Sequence, residues 1–98
     1  MISDPSYTSF YHTITSLDRK VVLFNRSYAN EEFTKLEHNA EPKKLKAFIV
    51  NSPENPTGYM LTKNEWHSIG KYCEKNNIWL IHDEVLDVLA FNKNYICA

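Results

Sequence analysis

Glycine is scarce in this chain, with two residues in 98. The glycine-rich loop of the P-loop hydrolases, which wraps nucleotide phosphates in backbone N–H groups, needs glycines at fixed offsets, G-x-x-x-x-G-K-[ST], and no such run occurs here. Cysteine is equally sparse. Cys73 and Cys97 stand far apart and in no C-x-x-C spacing, and His12, His38, His67 and His82 show no ligand pattern, so neither a metal site nor a disulfide framework is expected. Charge of either sign is not in excess: eleven Lys plus Arg against twelve Asp plus Glu leave −1, which gives no field to gather nucleic acid or an anionic membrane. The short basic cluster Lys43, Lys44 and Lys46 reads as a solvated loop. No stretch reaches the roughly 18 apolar residues of a membrane span, and MISDPSY has neither the basic start nor the apolar centre of a secretory signal. A cytoplasmic chain in a reducing compartment is expected.

What is present is apolar. The hydrophobic share is 43% and includes two Trp, six Tyr and five Phe, too much for a disordered segment, so a core must form. The length suits one small domain or a piece of a larger one.

Alternation of elements sets the fold class. Asp4 followed by Pro5 suits a helix start, and Tyr7, Phe10, Tyr11, Ile14 and Leu17 then recur at helical spacing. The β-branched run KVVLF, residues 20–24, predicts a strand, and Asn30 can cap a short helix through about His38. KAFIVNS predicts the next strand, over 47–51. Thr62 and Glu65 have capping-box spacing, with Trp66, Ile69, Gly70 and Cys73 on one face, so a helix is expected from about 62 to Asn76. IWLIH, 78–82, predicts a third strand. The last two strands are apolar without alternation, as in parallel strands covered on both faces, and the helix between them makes a βαβ crossover. The prediction is an α/β fold with a parallel sheet.

Ligands of such sheets lie beyond the carboxyl ends of the strands, where NSPENPTG (51–58) and HDEVL (82–86) fall. Two of the four prolines and one of the two glycines sit in NSPENPTG, which stiffens the backbone there, and Asn55-Pro56 is the candidate for a cis bond. A tight strand-to-helix turn would need no further duty. Asp83 is harder to explain without one, because a carboxylate at the end of a buried strand needs a cation or several donors.

Together, NSPENPTG, the capped helix and IWLIHDEVL resemble the core of the fold type I enzymes that use pyridoxal 5'-phosphate, the class I and II aminotransferases and their relatives. DPSYTSFYHTI resembles the Pro-x-Tyr-x-x-Phe-Tyr stretch of their cystathionine β-lyase, or cysteine C-S lyase, branch. The resemblance runs from about Asp4 to Phe91. It implies that Asp83 pairs with the protonated pyridine nitrogen, that Asn55 donates to the phenolic oxygen, and that Tyr7 lies at the cofactor ring. A pyridinium is a better electron sink than a neutral pyridine, and a fixed carboxylate keeps it protonated. The expected function is a pyridoxal-phosphate-dependent C-S β-lyase, or alternatively an aminotransferase, acting on amino acids.

Two departures from the family pattern matter. Leu86 stands where the family usually has Tyr, or His in parts of the lyase branch, and cannot donate a hydrogen bond. The Schiff-base lysine and carboxylate-binding Arg segment of the family fall past Ala98, and its phosphate loop falls before residue 1; Lys93 matches no motif. Residues 1–98 are therefore expected to be part of a pyridoxal-phosphate-binding major domain, from an enzyme expected to be a homodimer, with no catalytic residue of its own and no activity alone. A non-catalytic remnant is the other alternative. IWLIHDE also resembles the metal-holding strand of P-loop hydrolases, but their glycine-rich loop is missing. His82 reads as a packing residue rather than a catalytic base.

Overall fold

The computed structural model describes residues 1–25 and 42–91. Four parallel strands form one sheet: β1 (Ile2–Asp4), β2 (Leu23–Asn25), β3 (Ala47–Asn51) and β4 (Trp79–Asp83), in the order β2-β1-β3-β4. Helix α1 (Thr8–Ser16) connects β1 to β2, and α2 (Lys63–Asn76) connects β3 to β4. The expected parallel α/β arrangement is present, with one strand more than the sequence predicted.

The extra strand is β1, and it corrects the predicted helix start. Asp4 ends β1, Pro5 and Ser6 turn the chain, and α1 begins at Thr8 with Tyr7 at its N-cap and no side-chain cap. Ile2 pairs with Leu23 on one side and Ile49 on the other, which places this short segment between β2 and β3. Three residues carry too little periodicity to signal a strand; pairing on both sides fixes it. The strand predicted over 20–24 begins later, at Leu23, and the third strand is shifted by one residue, to Trp79–Asp83. The helix predicted near residues 30–38 lies outside the described residues.

The capping box of α2 is formed as expected. Thr62 Oγ1 accepts from the Glu65 N–H at 3.3 Å, and the Glu65 carboxylate accepts from the Thr62 N–H at 2.7 Å. At its far end Asn77 adopts a left-handed conformation, φ 54°, and its N–H reaches back to the last-turn carbonyls. Trp66, Ile69, Tyr72 and Cys73 are the buried face of α2. They pack with Phe48, Val50 and Phe24 of the strands and with Leu45, Leu61 and Ile78 into the main core.

The register separates the two faces of the sheet. Phe48 pairs with Leu80 and Val50 with His82 on the face that α2 covers, while Ala47 pairs with Trp79 and Ile49 with Ile81 on the other. That second face is incompletely covered. Trp79 is 79% exposed and Ile81 47%, so β4 is not the strand buried on both sides that its composition suggests. A cavity of about 590 Å³ is lined by Ile14, Arg19, Val22, Lys46, Ala47 and Ile49.

Candidate functional site

The strand order places the site. From β1 the chain moves to β2 on one side of the sheet, and from β3 to β4 on the other. The connections thus diverge between β1 and β3, and right-handed crossovers would set α1 and α2 on opposite faces there. Loops leaving the carboxyl ends of two such strands part from each other and open a crevice, the usual ligand position in open α/β sheets. Tyr7 follows β1, NSPENPTG follows β3, and Asp83 ends β4.

The loop after β3 is held by its own buried polar groups. Asn51, Ser52 and Glu54 are 3%, 0% and 1% exposed. Ser52 Oγ accepts from the Leu61 N–H at 3.0 Å, which ties the loop to the entry of α2. The Thr57 hydroxyl donates to Glu54 Oε2 at 2.5 Å, and the Glu54 N–H donates to the Tyr59 carbonyl at 2.8 Å. Gly58, at φ 71°, turns back so that its N–H donates to the Glu54 carbonyl at 2.6 Å. Only a residue without Cβ adopts that conformation without strain. The Asn55-Pro56 bond is cis, as the sequence suggested, and so are Ser52-Pro53 and Asp4-Pro5.

Asn55 and Asp83 come out of neighbouring strands, and Asn51 links them. Asn51 and Asp83 are register partners at the last position of β3 and β4. The Asn51 amide donates to the Asp83 backbone carbonyl at 3.0 Å, and its Oδ1 accepts from the Asn55 N–H at 2.7 Å. The same Asp83 carbonyl accepts from the Ser52 N–H at 3.0 Å. Asp83 Oδ1 accepts from the Val85 N–H at 3.1 Å, which steadies a half-exposed carboxylate. The Asn55 side chain is exposed. Tyr7 lies at the same sheet edge, 43% exposed, with its ring edge-on to Phe10 at 5.7 Å. No hydrogen bond or ring contact joins it to Asn55 or Asp83 among the described residues.

His82 packs, as expected. Its ring meets Trp66 edge-on at 4.4 Å, and Nε2 lies 3.2 Å from the Ser52 carbonyl. Leu86 precedes a short 3-10 turn, Asp87–Leu89. Sequence reasoning missed Asn51. Its signal was an amide closing an apolar strand immediately before a proline-rich turn.

The donor set suits pyridoxal phosphate. An accessible carboxylate matches a pyridinium N–H, an exposed amide matches a phenolic oxygen, and an exposed aromatic ring matches a heterocycle face. The family described as aminotransferase class I and II matches residues 1–97. The chain belongs to that family. Over 94 residues it is 30% identical to an asparagine–oxo-acid transaminase of Streptococcus mutans, a match covering 94% of this chain and 24% of that protein. Over 54 residues it is 44% identical to an aspartate aminotransferase of Bacillus sp. strain YM-2, a match covering 55% of this chain and 14% of that one. A PLP-bound aminotransferase from Clostridium difficile 630 superposes with a TM-score of 0.84 at 27% identity, over 97% of this chain and 25% of that one. An aspartate aminotransferase from Thermotoga maritima superposes with a TM-score of 0.88 at 23% identity, over 98% of this chain and 26% of that one, and so supports the fold. The chain thus spans between 14% and 26% of the length of these proteins. Family membership and the PLP-bound neighbour indicate pyridoxal 5'-phosphate as the cofactor. None of these four relatives carries a lyase name; they support the aminotransferase alternative over the C-S lyase reading drawn from DPSYTSFYHTI.

Proposed function

We propose that these residues form part of the cofactor floor of an aminotransferase that moves an amino group between an amino acid and an oxo acid, with a second copy of the full-length chain as its partner. The observation that carries this reading is the pairing of Asn51 with Asp83 at the ends of adjacent parallel strands, which brings the Asp83 and Asn55 ends to one sheet edge. When bound, the cofactor supplies a ring that withdraws electrons from the substrate Cα. Asp83 holds a proton at the pyridine nitrogen, because a fixed carboxylate favours the charged form of a group that donates to it. Asn55 donates from its amide to the phenolic oxygen and favours that oxygen's ionised form. Tyr7 supplies a ring face that restrains the tilt of the heterocycle. Leu86 adds no donor.

Binding tests the reading directly. The isotope-labelled chain would be titrated with pyridoxine 5'-phosphate, which lacks the aldehyde and cannot react with surface lysines. The expected result is saturable amide shifts clustered at Tyr7, Asn55 and Asp83. Shifts scattered over the surface, or none at millimolar ligand, would count against it.

A further inference from the structure

We infer that Asn51 is a positioning residue that couples the two cofactor-facing ends, holding Asn55 and Asp83 in one fixed relation. The inference rests on the cofactor reading above. Asn51 is 3% exposed, so its amide faces the protein interior rather than the crevice, and its two hydrogen bonds are part-buried. Its Nδ2 donates to the Asp83 carbonyl at 3.0 Å and its Oδ1 accepts from the Asn55 N–H at 2.7 Å. One side chain therefore bridges the end of β4 and the start of the turn that carries Asn55. No ladder hydrogen bond does this, because Asn55 has already left the sheet. An apolar residue of the same size would leave a buried N–H unpaired, and Asp could serve the Asn55 N–H but not the Asp83 carbonyl.

Functionally, the distance between the acceptor for the ring nitrogen and the donor for the phenolic oxygen is set by the rigid heterocycle. A bridge between them lowers the ordering that binding would otherwise demand. Without it Asn55 keeps its turn, held by Glu54, Thr57 and Gly58, but loses its tie to β4.

The test uses Asn51→Ala and Asn51→Asp in the full chain, with Ile69→Val as a control that loosens the core far from the site. The first readout needs no ligand: hydrogen exchange at the Asn55 amide. Asn51→Ala should accelerate it roughly 10-fold, Asn51→Asp should restore slow exchange, and Ile69→Val should leave it unchanged relative to the α2 amides. The second readout is pyridoxine 5'-phosphate. Asn51→Ala should weaken its binding more than Ile69→Val does and should raise the pH at which the bound phenol ionises, seen by its near-ultraviolet absorbance. Unchanged Asn55 exchange in Asn51→Ala overturns the bridge. Equal losses of affinity in Asn51→Ala and Ile69→Val, or an unmoved phenol titration, overturn its role toward the ligand. If the unsubstituted chain binds no pyridoxine 5'-phosphate, the cofactor reading falls, and the exchange measurement still decides the bridge.

Discussion

At the scale of single residues, the candidate site presents polar groups that the protein's own hydrogen bonds hold. Asp83 is steadied by the Val85 N–H, and the Asn55 backbone by Asn51. Asp83→Ala should weaken pyridoxine 5'-phosphate binding by about 10- to 100-fold, since a hydrogen bond to a charged group contributes roughly 1.5–3 kcal/mol. Calorimetry or a chemical-shift titration measures it, and a loss under about 3-fold would mean the carboxylate does not meet the ring nitrogen. Cys73 offers a pH-dependent check on burial. Burial raises its thiol above the ordinary value of 9.0, so the native state keeps a proton that the unfolded state releases. Stability from this group is complete below 9.0 and is lost as the pH rises through the native value. On a Cys97→Ser background, the urea midpoint of the parent should fall between about pH 8 and pH 10 by more than that of Cys73→Ala.

At the scale of elements, α2 is the most fully specified. Thr62 and Glu65 cap it reciprocally, and Glu65 also accepts from the Tyr59 hydroxyl at 2.9 Å. Thr62→Ala should cost about 1 kcal/mol in urea unfolding, the usual cost of a lost N-cap. Ile69 is fully buried against the sheet, and Ile69→Ala should cost about 2–5 kcal/mol, a large part of the roughly 5–15 kcal/mol of a small domain. Circular dichroism during urea unfolding distinguishes the two magnitudes. This element was legible because capping and 3.6-residue periodicity are local. Strand β1 was not: its three residues are a strand because β2 and β3 flank them. A proline after an Asx residue also suits the end of a strand, and only pairing separates that case from a helix start.

At the scale of the whole molecule, one sheet face is well covered and the other is not. On the second face Trp79 and Ile81 are 79% and 47% exposed, and Ala47 and Ile49 of the neighbouring strand line a cavity of about 590 Å³. Exposed apolar patches of this kind favour association. The 98-residue chain should therefore show an apparent mass that rises with concentration in analytical ultracentrifugation, and Trp79→Lys should lower it. Concentration-independent sedimentation of the parent chain would refute this. No helix among the described residues is long and apolar enough to cross a membrane.

The sequence by itself determined the parallel α/β class, helix α2 with its capping box, and strand β3, and its contiguous motifs named Tyr7, Asn55 and Asp83 as the candidates to meet a pyridoxal-phosphate ring, because each is written in local periodicity, turn chemistry or a contiguous motif. Tertiary structure alone decided strand β1, the order β2-β1-β3-β4 and the Asn51 bridge. Those depend on which backbones lie 4.7–4.9 Å apart across the sheet, a relation between residues as far separated as 51 and 83 that no local pattern encodes.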